Sequence, residues 1–284
     1  AGGILEAFDA RLPFELTAGQ REVAATIEAD LAESHPMHRL LQGDVGSGKT
    51  VVALRAMLRV VDAGGQAALL APTEVLAAQH FRSITALLGP LAARGQLGGA
   101  DVATRVSLLT GSLRTAQRRR ELLDLVSGDA GIVVGTHALI QETVDFHDLA
   151  LVVVDEQHRF GVEQRAALAA KARDGSRPHV LVMTATPIPR TVAMTVFGDV
   201  DVSTLTELPA GRAPITTHVV VRHEQPTHVA RVWQRVREEV AQGRRVFVVC
   251  PRIAEDEADD VDNVGPDAYD ADRNEPEADA ARSD

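Results

Sequence analysis

At 284 residues, 45% apolar and 24% charged, with no apolar run near membrane-spanning length, the sequence reads as a soluble chain with room for one large core, or one domain plus part of a second. Its single cysteine, Cys250, excludes an intrachain disulfide and a Cys-rich metal site, and predicts a reducing, cytoplasmic setting. The net charge of −11 lies entirely in residues 255–284, which hold 13 acidic and 2 basic groups; residues 1–254 balance at 27 of each sign and so do not exclude a nucleic-acid partner.

The first residues, AGGILEAFDA, have no basic region before an apolar stretch and no initiator Met, which predicts no secretory signal and an internal piece of a longer protein. From Met37 onward, short apolar runs alternate with helix-period segments. HRLLQ (38–42) is the first expected strand, followed by GDVGSGKT (43–50) and a helix over 49–61. This is the full G-x-x-x-x-G-K-[ST] phosphate-loop pattern in the strand–loop–helix setting it requires. Gly43, Gly46, Ser47 and Gly48 would let backbone N–H groups converge on phosphate oxygens at a helix N-terminus. Lys49 would reach the β/γ-phosphates and the Thr50 hydroxyl would ligate Mg²⁺, so the expected cofactors are ATP and Mg²⁺.

Further strands are expected at QAALLA (66–71), TRVSLL (104–109), GIVVG (131–135), ALVVVD (150–155) and HVLVMT (179–184), with helices over 74–88 and 113–126. Continuous apolar strands separated by helices predict an α/β doubly wound parallel sheet with helices on both faces. Each strand is followed by a short polar motif: PTE, TGS, GTHALI, DEQH and TATPIPRT. In an open parallel sheet these loops share the carboxyl-end rim, where ligands bind. Asp155 would hold the metal and Glu156 the attacking water, two roles that require two carboxylates. Thr73, Gly111, Ser112, Thr136 and His137 offer hydroxyls, N–H groups and an imidazole suited to a DNA backbone. Arg118–Arg120 read as a solvated helix face, His80 as a packed helix residue, and Trp233 and Cys250 as core or interdomain packing residues.

After DVSTLTEL (199–208), the Pro- and Gly-rich ELPAGRAP reads as a linker. TTHVVV (216–221), a helix at about 226–242 and GRRVFVVC (243–250) look like the start of a second α/β unit. The expected division is therefore 1–207 for the first domain, 208–254 for the linker and beginning of a second, and 255–284 for an acidic disordered tail or insertion.

With these motifs in order, the chain resembles the superfamily 2 helicases and translocases. LTAGQ, LQGDVGSGKT, PTEVLAAQH, GTHALI, DEQHRFGVEQR and MTATPIPRT are similar in particular to the bacterial helicases that remodel branched DNA. The resemblance runs from about Leu12 to Pro251 and is most specific at DEQHRFG and TATPIPRT. It implies a RecA-like P-loop NTPase motor that drives DNA translocation at stalled forks and Holliday junctions in recombination and repair. It also implies that Gln20 reads adenine, that Phe14 lies against the base, and that His158 joins the nucleotide site. Gln157 and His158 would couple that site to Thr184 and Thr186. Transcription–repair coupling translocases share much of the pattern but carry a second Glu at the position of Gln157 and differ at Ser47; they are the alternative, with a nucleotide-dependent DNA-binding module without turnover as a third. The family's second motor domain supplies an Arg to the γ-phosphate, and a wedge domain splits the duplex. Past Cys250 only Arg252, Arg273 and Arg282 remain, none in a recognisable motif. The expectation is a first motor domain, weakly active or inactive by itself.

Overall fold

The computed structural model describes residues 2–95, 98–141, 143–155, 177–186, 200–207, 216–221 and 226–250. Glu156, Gln157, His158, Arg159, Phe160, the segment 187–191 and the acidic segment 255–284 lie outside the described residues. The chain divides into two compact units, Ala1–Ala213 and Pro214–Asp284.

In the first unit the strands are β1 (His38–Gly43), β2 (Gln66–Leu70), β3 (Arg105–Leu109), β4 (Ala130–Gly135), β5 (Leu149–Asp155), β6 (His179–Thr184) and β7 (Asp201–Leu205). They form one sheet in the order β3-β4-β2-β5-β6-β1-β7, and every pairing is parallel. Strands of this kind are buried on both faces, and alternate residues leave them in opposite directions. Leu151 and Val153 of β5 join one core cluster, while Val152 and Val154 join another. Ala67 and Leu69 of β2 divide from Ala68 and Leu70 in the same way.

Helices α1 (Ile4–Asp9), α2 (Ala18–Leu31), α3 (Lys49–Asp62) and α4 (Glu74–Leu88) contribute to the larger cluster. Helix α5 (Thr115–Val126) adds Leu125 to the other, with Leu139, Val144 and Phe146. Helix α3 sits deepest, with Val51, Val52, Leu54, Met57 and Leu58 all buried. At about 1.5–3 kcal/mol for each large apolar side chain removed from water, this packing holds the helix start firmly against β1. Two arginines pin the surrounding layer. Arg39 of β1, nearly buried, donates to Asp30 of α2 at 2.7 Å and to Ser203 of β7 at 2.9 Å. Arg55 of α3 pairs with Asp9 of α1 and with Glu28 of α2. A buried guanidinium is tolerated where its charge is paired. These two are paired across three elements, although the Arg55 Nε is buried without a hydrogen-bond partner.

The second unit contains α6 (Pro226–Ala241), which has no buried residue and carries the ion pairs Arg231–Glu238 and Arg235–Glu239. Two expectations fail here. Residues 216–221 and 244–250 form no ladder, although their composition suits strands. A strand needs a hydrogen-bonding neighbour, and parallel strands persist in sheets covered on both faces. Trp233 is 47% exposed and Cys250 is exposed, so neither is a core residue of this unit. Among the described residues, no helix is long and apolar enough to cross a membrane.

Candidate functional site

The rim at the carboxyl ends of the strands divides by strand order. The phosphate loop follows β1, Thr184 ends β6 and Asp155 ends β5, on three adjacent strands. PTE follows β2, GTH begins at the end of β4 and TGS follows β3, on the three strands beyond.

The phosphate loop turns on glycines. Gly46 and Gly48 have φ of 85° and 89°, a left-handed backbone that L side chains rarely adopt. Gly48 is the N-cap of α3 and supplies no side-chain cap, so the first N–H groups of a 14-residue helix meet no side-chain cap there. At Gly43 a Cβ would lie 2.7 Å from the Ser47 hydroxyl and 2.9 Å from the Leu205 carbonyl oxygen. Lys49 donates its ammonium to the carbonyls of Gly43 at 2.6 Å and Asp44 at 3.0 Å, folding back across the loop. The Ser47 hydroxyl is fully buried and meets no hydrogen-bond partner, so this residue joins the loop through its backbone. An uncapped helix start, two left-handed glycines and an ammonium held by loop carbonyls suit the phosphates of a nucleotide. Thr50 lies half-buried in the first turn of α3.

The segment bearing Gln20 closes over this loop. Thr17 and Gln20 form a capping box at the start of α2, and the Gln20 amide also donates to the Ser47 carbonyl at 2.8 Å. Gln20 is thus buried, with its amide spanning a helix cap and the phosphate loop. Glu207, just past β7, accepts from the Gly19 N–H at 3.1 Å. The Thr17 hydroxyl, then the Gly19 N–H, hold its carboxyl below the usual carboxylate range. Phe14 is 48% exposed and lines an open hollow with Leu12, Leu16, Arg21 and Arg55.

On the other half of the rim, Thr73 caps α4 by accepting from the Leu76 N–H, leaving Glu74 as the first helical residue. Glu74 accepts from the Ser112 N–H at 3.1 Å and from its hydroxyl at 2.6 Å. The Ser112 hydroxyl is the main reason that the Glu74 carboxyl sits below its ordinary range, with the Gly111 N–H and the charge of His137 acting in the same direction. Thr73, Gly111, Ser112 and His137 are therefore gathered around one carboxylate. Thr136 is buried, and its hydroxyl accepts from the Ala138 N–H at 3.5 Å, so its side chain shapes the turn that presents His137.

Sequence reasoning missed three contributors. Glu74 was legible only as the last residue of PTE at a helix start, and Glu207 only as an acid at the start of the linker. His80, read as a packed helix residue, instead brings Nε2 to 2.6 Å from Asp155 Oδ2. Thr184 is buried at the end of β6, and its hydroxyl accepts from the Thr186 N–H at 3.1 Å.

A parallel sheet of this order, with a phosphate loop after β1 and an acid at the end of β5, defines a RecA-like P-loop fold. Residues 17–195 match the DEAD/DEAH box helicase family, and the chain belongs to it. Within that family it is similar to ATP-dependent DNA helicase RecG: 63% identical over 255 residues to the protein of Mycobacterium bovis and 51% over 260 residues to that of Synechocystis. These alignments cover 90% and 92% of this chain but 34% and 29% of the relatives, so the chain spans about a third of their length. A solved structure of RecG bound to a three-way DNA junction matches 87% of this chain and 31% of that one, at 40% identity and a TM-score of 0.73. A yeast DEAD-box splicing factor, 17% identical with a TM-score of 0.51 over 81% of this chain and 54% of that one, shares the fold. The alternative of a transcription–repair coupling factor (Mfd) is not supported by these relatives.

Proposed function

We propose that this chain is the ATP-binding first motor of a RecG-type DNA helicase, which moves on branched DNA such as stalled forks and Holliday junctions. The observation that carries the reading is the divided rim: phosphate-loop, Asp155 and Thr184 motifs on β1, β5 and β6 adjoin hydroxyl- and N–H-bearing motifs on β2, β4 and β3. Nucleotide chemistry and backbone contacts thus share one edge of one sheet. The domain reading is a first motor over 1–207, a linker and the start of a second motor over 208–254, and an acidic tail over 255–284.

In this reading Lys49 leaves the Gly43 and Asp44 carbonyls for the β/γ-phosphates, while Gly43, Gly46, Ser47, Gly48 and Thr50 supply backbone donors. Gln20 addresses adenine and His158 joins the nucleotide. Thr50 and Asp155 hold Mg²⁺, which would neutralise charge developing on the phosphates. Glu156 accepts from the attacking water. Thr73, Gly111 and His137 face DNA phosphates and Ser112 joins them by exchanging the Glu74 carboxylate for a phosphate oxygen, with Thr136 shaping the His137 turn. A second motor domain, with its arginine, and a wedge domain are the expected partners within the longer protein.

Calorimetric titration with ADP and Mg²⁺ tests the site. The chain should bind, and Lys49→Ala should weaken binding by at least tenfold; absence of binding by the unsubstituted chain overturns the reading. ATPase measured with three-way junction DNA should be slow, because an arginine reaching across the cleft is worth about 10³–10⁵ in rate in related enzymes. Fast turnover by this chain would overturn the requirement for a second motor. Glu156→Gln in the longer protein should preserve nucleotide binding and abolish hydrolysis.

A further inference from the structure

Helix α4 buries a stripe at Ala77, Ile84 and Leu88, each fully buried. His80 lies three residues after Ala77 and four before Ile84, the spacing that places it on the same face. An apolar residue would satisfy packing at such a position. His80 instead reaches out of the helix to the end of β5, where its Nε2 lies 2.6 Å from Asp155 Oδ2. Both side chains are largely shielded, at 14% and 15% exposure. An ionised carboxylate has no proton to give, so the imidazole N–H donates. Fixing one oxygen of a carboxylate fixes the plane of the group, and therefore the direction in which the other oxygen points.

We propose that His80 is a positioning residue that holds Asp155 oriented for the magnesium-bearing nucleotide. The inference rests on the nucleotide reading above. It also gives α4 two polar attachments on the rim. Glu74, at the helix start, receives both donors of Ser112, and His80, further along the same rigid element, fixes Asp155. The helix that begins at the proposed DNA-facing motif thus carries the brace of the metal carboxylate. Hydrogen-bonding partners of ligating side chains usually contribute about 10–100-fold to metal affinity.

The test separates metal-dependent from metal-independent binding. ADP affinity is measured by calorimetry in EDTA and in Mg²⁺ for the unsubstituted chain, His80→Ala and His80→Gln, with thermal unfolding of each recorded alongside. His80→Ala should leave affinity in EDTA within about twofold and reduce the gain on adding Mg²⁺ by about tenfold or more. His80→Gln, which can present an amide N–H near the Nε2 position, should recover much of that gain. A His80→Ala chain that keeps the full gain overturns the inference and leaves the nucleotide reading standing. Equal loss with and without Mg²⁺ in both variants, together with lowered unfolding temperatures, also overturns it by showing a packing role. An unsubstituted chain that binds ADP but gains nothing from Mg²⁺ overturns this inference alone, whereas one that binds ADP in neither condition overturns the nucleotide reading as well.

Discussion

Gly48 concentrates several demands in one residue. Its φ of 89° is left-handed, and a Cβ at that position would collide with the Gln20 amide that donates to the Ser47 carbonyl. Gly48→Ala should therefore cost about 1–2 kcal/mol in backbone conformation and also push Gln20 off the loop. ADP affinity should fall at least tenfold while urea unfolding remains cooperative, both measurable on the same preparation; unaltered affinity would mean that the loop does not need this conformation. Glycines of this kind are legible in sequence because the phosphate-loop pattern encodes backbone geometry locally. His80 and Glu207 were not legible, because their partners lie 75 and 188 residues away. A histidine on a helical apolar stripe reads as packing until the fold places a carboxylate beside it.

At the scale of elements, β6 enters the sheet through a histidine. His179 Nδ1 accepts from the Met37 N–H at 2.9 Å, a bond available only to a ring nitrogen without a proton. Burial lowers the His179 pKa below its ordinary 6.5, and His35 acts in the same direction against the opposing charge of Asp30. The unfolded chain therefore takes up this proton at higher pH than the folded chain. The stabilisation is complete above about 6.5 and is lost as pH falls below that value toward the folded pKa. Urea midpoints should drop between pH 7.5 and 5.5 for the unsubstituted chain, and less for His179→Asn, whose amide oxygen can accept from Met37 without titrating. Equal drops would remove His179 as the cause. Strands β2, β4 and β5 were readable from continuous apolar runs, since both of their faces are buried, whereas β1, β3 and β6 were readable from shorter apolar runs and are only partly buried. The segments 216–221 and 244–250 have similar composition but no ladder, because a strand is defined by its neighbour as much as by its residues. The order of strands in the sheet is a property of the folded chain that the runs do not carry.

For the whole molecule, charge sets the expected mode of DNA contact. Residues 1–254 balance at 27 acidic and 27 basic groups, and the donors gathered around Glu74 are a hydroxyl, backbone N–H groups and one imidazole. Few condensed counterions should be released on binding, so log affinity against log salt should have a slope shallower than about −3, in contrast to proteins gripping many phosphates with Lys and Arg. A steep slope in fluorescence anisotropy would reveal a basic groove that the described rim lacks. The sheet order also has a consequence for biosynthesis. β1 pairs only with β6 and β7, in the register His38↔Val180 and Arg39↔Asp201. At elongation rates of about 5–20 residues per second, the ribosome extrudes β1 roughly ten seconds before its partners exist. Both of its edges stay unpaired over that interval, and the phosphate loop can be set only after translation has passed β7. The phosphate-loop edge of the sheet is thus completed late, with β2, β4 and β5 free to associate first.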